Sequence, residues 1–167
     1  MNKGNVRHMV NAALMTAVIC VLTAAVHIPS GHGYIHLGDA AIYLAAALLP
    51  LPYAVGAAAL GGAMADLIAG YAQYCLPTMV IKGALALVCF TIGGERMFCV
   101  RRIMSCVVCC LITVVGYWLT DVILYQGDLL AQLFVTLPGN LVQSTASALV
   151  YCASAVAMDH FHVHIPK

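Results

Sequence analysis

Long runs of apolar residues, separated by short polar breaks, follow one another along nearly the whole sequence. A run of about 20 apolar residues is long enough to cross the hydrocarbon core of a membrane as a helix. Apolar residues make up 63% of the 167-residue chain and charged residues 8%, whereas a soluble domain has about 25% charged residues. The pattern therefore excludes a water-soluble enzyme and leaves no room for a large domain outside the membrane.

The apolar runs predict an all-α integral membrane protein with six transmembrane helices, forming a single membrane domain over residues 1–167. The second run is short and ends at a pair of prolines, Pro50 and Pro52, while Pro138 predicts a kink in the last helix. The predicted spans are 8–28, 37–51, 53–70, 76–94, 103–125 and 129–158.

The basic residues predict how these helices are oriented. Cytoplasmic loops carry an excess of Lys and Arg, and here the basic residues cluster at the N-terminus, in the loop after the fourth run and in the C-terminal tail. With six spans, these three segments fall on one side, so we expect both termini in the cytoplasm of a prokaryotic cell, in a multi-pass plasma-membrane protein. The clustered residues are Lys3, Arg7, Arg96, Arg101, Arg102 and Lys167.

Polar side chains within the runs gather in the outer half of the predicted membrane. A charge at the bilayer centre costs about 2.5–3.5 kcal/mol, so it is retained where it faces a cavity or a partner. Most aromatic residues lie on the same side. We therefore predict an outward-facing cavity for a small, flat, partly polar molecule. The predicted site residues are Tyr34, His36, Asp39, Asp66, Tyr71, Lys82, Trp118, Asp121, Asn140 and Gln143.

Each of these polar residues also has a structural interpretation. Lys82 could form an ion pair with Asp66 or Asp121, and Asp39 could cap the second helix. Asn140 and Gln143, three residues apart on one helical face, could hold helices together.

Histidines and cysteines raise the possibility of a metal site. His27, His32 and His36 surround the first outer loop and could bind nickel, cobalt or zinc, as could His160, His162 and His164 in the tail. The simpler interpretation is a flexible gate. Two of the eight cysteines, Cys106 and Cys109, have zinc-ligand spacing but lack a second pair. We therefore expect no bound metal and no cofactor.

Catalytic and nucleic-acid-binding functions have no support in the sequence. No phosphate-binding G-x-x-x-x-G-K-[ST] segment, G-x-S-x-G or H-E-x-x-H occurs, so we expect neither an enzyme nor ATP hydrolysis by this chain. A net charge of +1 gives no sign of a nucleic-acid partner.

Four short motifs follow one another in a distinctive order. They are Gly33-Tyr-Ile-His-Leu-Gly-Asp39, Gly61-Gly-Ala-Met-Ala-Asp-Leu-Ile-Ala-Gly-Tyr71, Pro77-Thr-Met-Val-Ile-Lys-Gly83 and Pro138-Gly-Asn-Leu-Val-Gln143. Over residues 10–150 this succession resembles the substrate-binding (S) components of energy-coupling factor (ECF) transporters, in the group of riboflavin-type vitamin transporters.

The resemblance implies a six-helix subunit of an ECF-type ABC importer that binds a vitamin or related micronutrient in an outer-half pocket closed by the first outer loop. It also implies a transmembrane coupling subunit and two cytoplasmic ATPases as partners. Family members dock through an A-x-x-x-A motif, which is matched here by Ala13 and Ala17. Because substrate-selecting residues differ among members, the vitamin stays open. Two alternatives are a cobalt/nickel-type metal-uptake membrane subunit and a structural membrane subunit without a transport role.

Overall fold

The structure, a computed structural model, describes residues 3–94 and 96–161, apart from the side chains of Lys3 and His27. It contains a bundle of helices and one two-stranded hairpin. The helices are α1 (Lys3–Ala24), α2 (Gly38–Leu48), α3 (Leu51–Ala69), α4 (Cys75–Ile92), α5 (Val100–Tyr125) and α6 (Leu129–His160). The strands are β1 (His27–Ser30) and β2 (Gly33–His36), and a short 3₁₀ turn, Ala72–Tyr74, precedes α4.

Five of the helices in the described part of the chain are long and apolar enough to cross a membrane. The predicted second span, 37–51, is present as α2, but this helix has only 11 residues. At 1.5 Å per residue it extends about 16 Å, against a hydrocarbon core of about 30 Å. The chain leaves the helix before Pro50, and Pro52 lies in the first turn of α3.

The first predicted span needs a correction at its outer end. The helix ends at Ala24 rather than at residue 28, and residues 27–36, the segment interpreted as a gate, form an antiparallel hairpin. Gly31 at its turn has a φ of 59°, a left-handed conformation that glycine adopts without strain. The turn of the hairpin packs against the backbone carbonyl of Val135 on α6. The local sequence of the hairpin did not reveal this contact with α6.

Helix α2 forms the centre of the bundle. Nine of its 11 residues are buried, and it packs against α1, α3, α4 and α6. Small residues around it allow close helix contacts: a Cβ on Gly61 of α3 would lie 2.9 Å from the carbonyl oxygen of Thr16 on α1. Because α2 is surrounded, the polar residue near its start, Asp39, is enclosed by protein.

The outer surfaces of the long helices carry large apolar side chains. Examples are Leu14 on α1, Val80 on α4, Leu111 on α5 and Leu149 on α6, which are 61–73% exposed. Apolar surface of this extent is what a lipid-facing protein presents. Helix α6 continues through Pro138 without interruption.

The chain segment between α4 and α5 is held by side chains of its neighbours. The guanidinium of Arg102 donates to the carbonyl oxygens of Arg96 and Gly94 at 3.0 Å, and the Tyr151 hydroxyl donates to that of Met97 at 2.7 Å. All eight cysteines are free; Cys89 and Cys109 are buried where α4 and α5 pack, with their sulfur atoms 3.5 Å apart.

Candidate functional site

A small cavity, with a volume of about 50 Å³, lies between the hairpin, the 3₁₀ turn before α4 and the adjoining parts of α3, α5 and α6. Six of the residues predicted from sequence line it: Tyr34, His36, Asp66, Asp121, Asn140 and Gln143. The hairpin, α3, α5 and α6 each contribute, so residues from distant parts of the sequence meet at one end of the bundle.

A buried ion pair lies beneath this cavity. Lys82 Nζ is 2.6 Å from Asp39 Oδ1, and the amide of Gln143 donates to Asp39 Oδ2 at 3.0 Å. The prediction that Lys82 pairs with Asp66 or Asp121 is therefore wrong. The capping role considered for Asp39 is also wrong: its two carboxylate oxygens bind Lys82 and Gln143, and the N-cap residue of α2 is Leu37. Gln143 links α6 to α2, as the helix-joining interpretation predicted.

Two further carboxylates form the walls. The Tyr34 hydroxyl donates to Asp66 Oδ1 at 2.7 Å. Asp121 accepts from the hydroxyls of Tyr74 and Thr136, one on each oxygen. Each wall carboxylate is thereby held in a fixed direction.

The hairpin contributes one buried histidine, His36, and one half-buried histidine, His32, to the cavity lining. His36 Nδ1 accepts a hydrogen bond from the Gly38 backbone N–H at 3.1 Å. Burial, followed by the charge of Lys82, lowers the pKa of His36 to about 3, so this ring is neutral at physiological pH. Burial and the Asp66 carboxylate raise the pKa of Tyr34 well above its usual value, so its hydroxyl stays a donor.

His32 fastens the hairpin to the neighbouring helices. Its ring stacks on Tyr125 of α5 with centroids 4.0 Å apart, and its Nε2 lies 3.0 Å from Gln132 Oε1 on α6. The hairpin thus covers the cavity and is held by contacts with α5 and α6.

Four predicted site residues lie outside the lining. Asp39 and Lys82 form the layer below the floor. Tyr71 packs behind Tyr34, with ring centroids 4.9 Å apart. Trp118 is directed away from the cavity: its indole N–H donates to the Leu129 carbonyl at 2.8 Å, so it does not cover a ligand face as expected.

Five polar lining residues were missing from the predicted site: Ser30, His32, Tyr74, Tyr117 and Thr136. Helical spacing could have found some of them. Tyr117 precedes Asp121 by four residues on α5, and Thr136 precedes Asn140 by four on α6, so each shares a helix face with a predicted residue.

The predicted docking residues Ala13 and Ala17 lie one turn apart on α1, and both are exposed. Their surroundings carry exposed apolar side chains such as Val10 and Leu14.

The predicted metal-binding roles of the histidines can be compared with their positions in the part of the chain that the structure covers. No group of three or more His, Cys, Asp or Glu residues there could hold a metal ion. The His27 side chain, the tail residues His162, His164 and Lys167, and the Lys3 side chain lie outside the described residues.

Comparison with known proteins identifies the family. The sequence model of the family described as "ECF-type riboflavin transporter, S component" matches residues 3–158. An "Uncharacterized protein in gap 3'region" of Pyrococcus woesei is 26% identical over 133 residues, covering 79% of this chain and 86% of that protein. Because the family match extends over nearly the whole chain, this protein belongs to the ECF-type riboflavin transporter S components, the vitamin-binding membrane subunits of these transporters.

Proposed function

We propose that this protein captures a vitamin or a related micronutrient from outside the cell in the cavity beneath the hairpin. In this proposal the loaded subunit works with a transmembrane coupling subunit and two cytoplasmic ATPases, which supply the energy. The observation that carries the proposal is the cavity itself, because tyrosine rings, two oriented carboxylates and an amide converge there in a chain of the S-component family.

The proposed topology has six membrane segments and both termini in the cytoplasm. Helix α2 is the sixth segment, buried within the bundle and continued toward the outer surface by the hairpin. The support is the separation of charge types: the exposed Arg96 and Arg101 lie in the α4–α5 region, whereas Asp66 and Asp121 line the cavity near the opposite ends of α3 and α5. Basic residues favour the cytoplasmic side.

Riboflavin is the first ligand to test, because the family's description names it. The rings of Tyr34, Tyr74 and Tyr117 line the cavity and are suited to contact a flat ring system. Offset or edge-to-face ring contacts contribute about 0.5–1.5 kcal/mol each. The half-buried amide of Asn140 offers both a donor and an acceptor to a heterocycle edge.

The experiment is titration of riboflavin with the purified full-length protein in lipid nanodiscs, following quenching of the flavin fluorescence. We expect saturable binding, and we expect Asn140→Ala to weaken it at least tenfold, about 1.4 kcal/mol. Ser154→Ala is the control, because this residue lies on the same helix far from the lining and its hydroxyl bonds only to the Val150 carbonyl of its own helix.

A second measurement separates binding from transport. Proteoliposomes that hold this chain alone should not accumulate the vitamin, whereas those that also hold a coupling subunit and ATPases with ATP should. Failure of riboflavin and of every other vitamin in a panel to bind would refute the proposal, as would an equal loss in Ser154→Ala.

A further inference from the structure

The cavity has an excess of negative charge on its walls. The carboxylates of Asp66 and Asp121 both line it and are 4% and 3% exposed. Lys82, 1% exposed, does not line the cavity and is already paired with Asp39. The other titratable residues that line the cavity, within the described residues, are His32, His36 and three tyrosines. An arriving anion would therefore meet two like charges and no unpaired lysine or arginine.

One of the wall carboxylates has an unused acceptor. Asp121 receives a hydroxyl donor on each oxygen. Asp66 receives the Tyr34 hydroxyl on Oδ1 and interacts with the nearby Thr78 hydroxyl, but its buried Oδ2 has no partner at full hydrogen-bond geometry within the part of the chain that is described. Buried polar atoms are nearly always satisfied, and a carboxylate oxygen can only accept while it is ionised. The group that would satisfy Asp66 Oδ2 is therefore a hydrogen-bond donor, and a ligand in the adjoining cavity could provide that donor.

The neighbouring residues define what kind of donor fits. Asn140 lines the same cavity with an amide that can both donate and accept, and tyrosine rings flank the space. A ring nitrogen, amide or amino group on a flat heterocycle presents an N–H at its edge while its faces contact the rings. A ring carboxylate in the same position would place a third negative oxygen group next to Asp66 and Asp121.

We infer that the site selects a neutral or cationic nitrogen heterocycle that donates an N–H to Asp66 Oδ2, and that it rejects vitamins carrying a carboxylate on the ring. This inference rests on the proposed function and narrows its substrate class. Selectivity arises from repulsion of the wrong ligand as well as attraction of the right one.

Three pairs of probes with a common ring test the inference on the full-length protein in nanodiscs. They are nicotinamide with nicotinate, pyridoxamine with 4-pyridoxic acid, and riboflavin with N3-methylriboflavin, which lacks the ring N–H. For each pair in which binding is detected, we expect the first probe to bind at least tenfold more tightly than the second. Asp66→Asn should reduce this preference at least fivefold, because it removes the charge and replaces one of the two acceptor oxygens by an NH₂ donor.

Asp128→Asn is the matched control. Asp128 caps α6 outside the cavity by accepting from Leu130 and Ala131 N–H groups, and Asn is an equally good cap. A carboxylate-bearing or methylated probe that binds as tightly as its partner overturns the inference and leaves the proposed function standing, as does an unchanged preference in Asp66→Asn. Binding of none of the six probes overturns the inference, whereas the proposed vitamin capture falls only if every vitamin in the wider panel also fails to bind.

Discussion

The ammonium of Lys82 on α4 and the carboxylate of Asp39 at the start of α2 form an ion pair, 2.6 Å between Nζ and Oδ1, in which neither side chain is more than 1% exposed. Lys82 Nζ also lies 5.2 Å from the centroid of the Tyr117 ring, and Gln143 completes the hydrogen bonding of Asp39. Side chains from four helices, α2, α4, α5 and α6, thus meet at one buried pair, directly beneath the candidate binding cavity.

Removing one partner of this pair should be strongly destabilising. Lys82→Met leaves the Asp39 carboxylate buried without its counter-ion, and breaking a buried pair in this way costs about 3–5 kcal/mol. The double change Lys82→Met with Asp39→Asn removes both charges and should recover most of the loss. Unfolding of the detergent-solubilised variants measures both effects. A single variant as stable as the unmodified protein would show that the pair is not needed.

Close contact between α1 and α3 depends on Gly61. A Cβ there would lie 2.9 Å from Ile19 side-chain atoms and from the Thr16 carbonyl oxygen, which is backbone and cannot move aside cheaply. We therefore expect Gly61→Ala to reduce the free energy of unfolding by about 1–3 kcal/mol.

The matched control for that change is Gly56→Ala in the same helix, where a Cβ would meet nothing within 4 Å. It should leave the free energy of unfolding unchanged or raise it by about 0.4–1 kcal/mol, because alanine restricts the unfolded chain. Equal effects of the two changes in thermal unfolding would contradict the close-packing account.

The buried His36 should make stability depend on pH. Its pKa is about 3 in the folded protein and about 6.5 when unfolded. Between these values the unfolded chain binds a proton that the folded one does not. Stability from this residue is therefore full above about pH 6.5 and falls as the pH is lowered toward 3. From pH 7.5 to pH 5 the loss is about 2 kcal/mol.

The comparison that isolates this effect is His36→Asn. The Asn oxygen can still accept from the Gly38 N–H, which His36 Nδ1 binds, but it does not titrate. We expect the unfolding free energy of the unmodified protein to fall more steeply than that of the variant between pH 7.5 and pH 5. Parallel profiles would mean that the pKa of His36 is the same in the folded and unfolded states.

The contacts of His32 should hold the hairpin closed. His32→Ala removes the stacking on Tyr125 and the hydrogen bond with Gln132, so the hairpin should open more often. Hydrogen exchange of backbone amides in residues 27–36 should accelerate about tenfold, while His160→Ala, at the far end of α6, should leave it unchanged. Equal exchange rates in the two variants would show that contacts other than those of His32 hold the hairpin closed.

The proposed docking face on α1 can be tested with large side chains. Ala13 and Ala17 are exposed, so Ala13→Trp or Ala17→Trp meets no packed neighbour within the subunit and should leave ligand binding intact. A coupling subunit that approaches closely at small residues would be displaced, and its co-purification should fall at least tenfold. Leu149→Trp, at a site on α6 that is 67% exposed, is the control. Normal co-purification of the α1 variants would place the docking surface elsewhere.

The sequence alone determined the membrane class, the helical runs, the family and most of the polar cavity lining. Burial in lipid forces backbone groups to pair within each segment, and the expense of placing charge there makes each Asp or Lys informative. Residues such as Asp66, Asp121 and Asn140 could therefore be predicted before their contacts were known.

The tertiary structure decided which polar groups pair and which face the ligand space. Lys82 bonds Asp39 rather than Asp66 or Asp121, and Trp118 turns to the Leu129 carbonyl, because these outcomes depend on the rotation of each helix about its axis. The hairpin, too, depends on a distant partner: Gly31 and His32 contact α6 some 100 residues later in the chain. The sequence pattern predicts how deep a residue lies in the membrane and which residues share one face of a helix. The packing between helices decides the direction in which that face points.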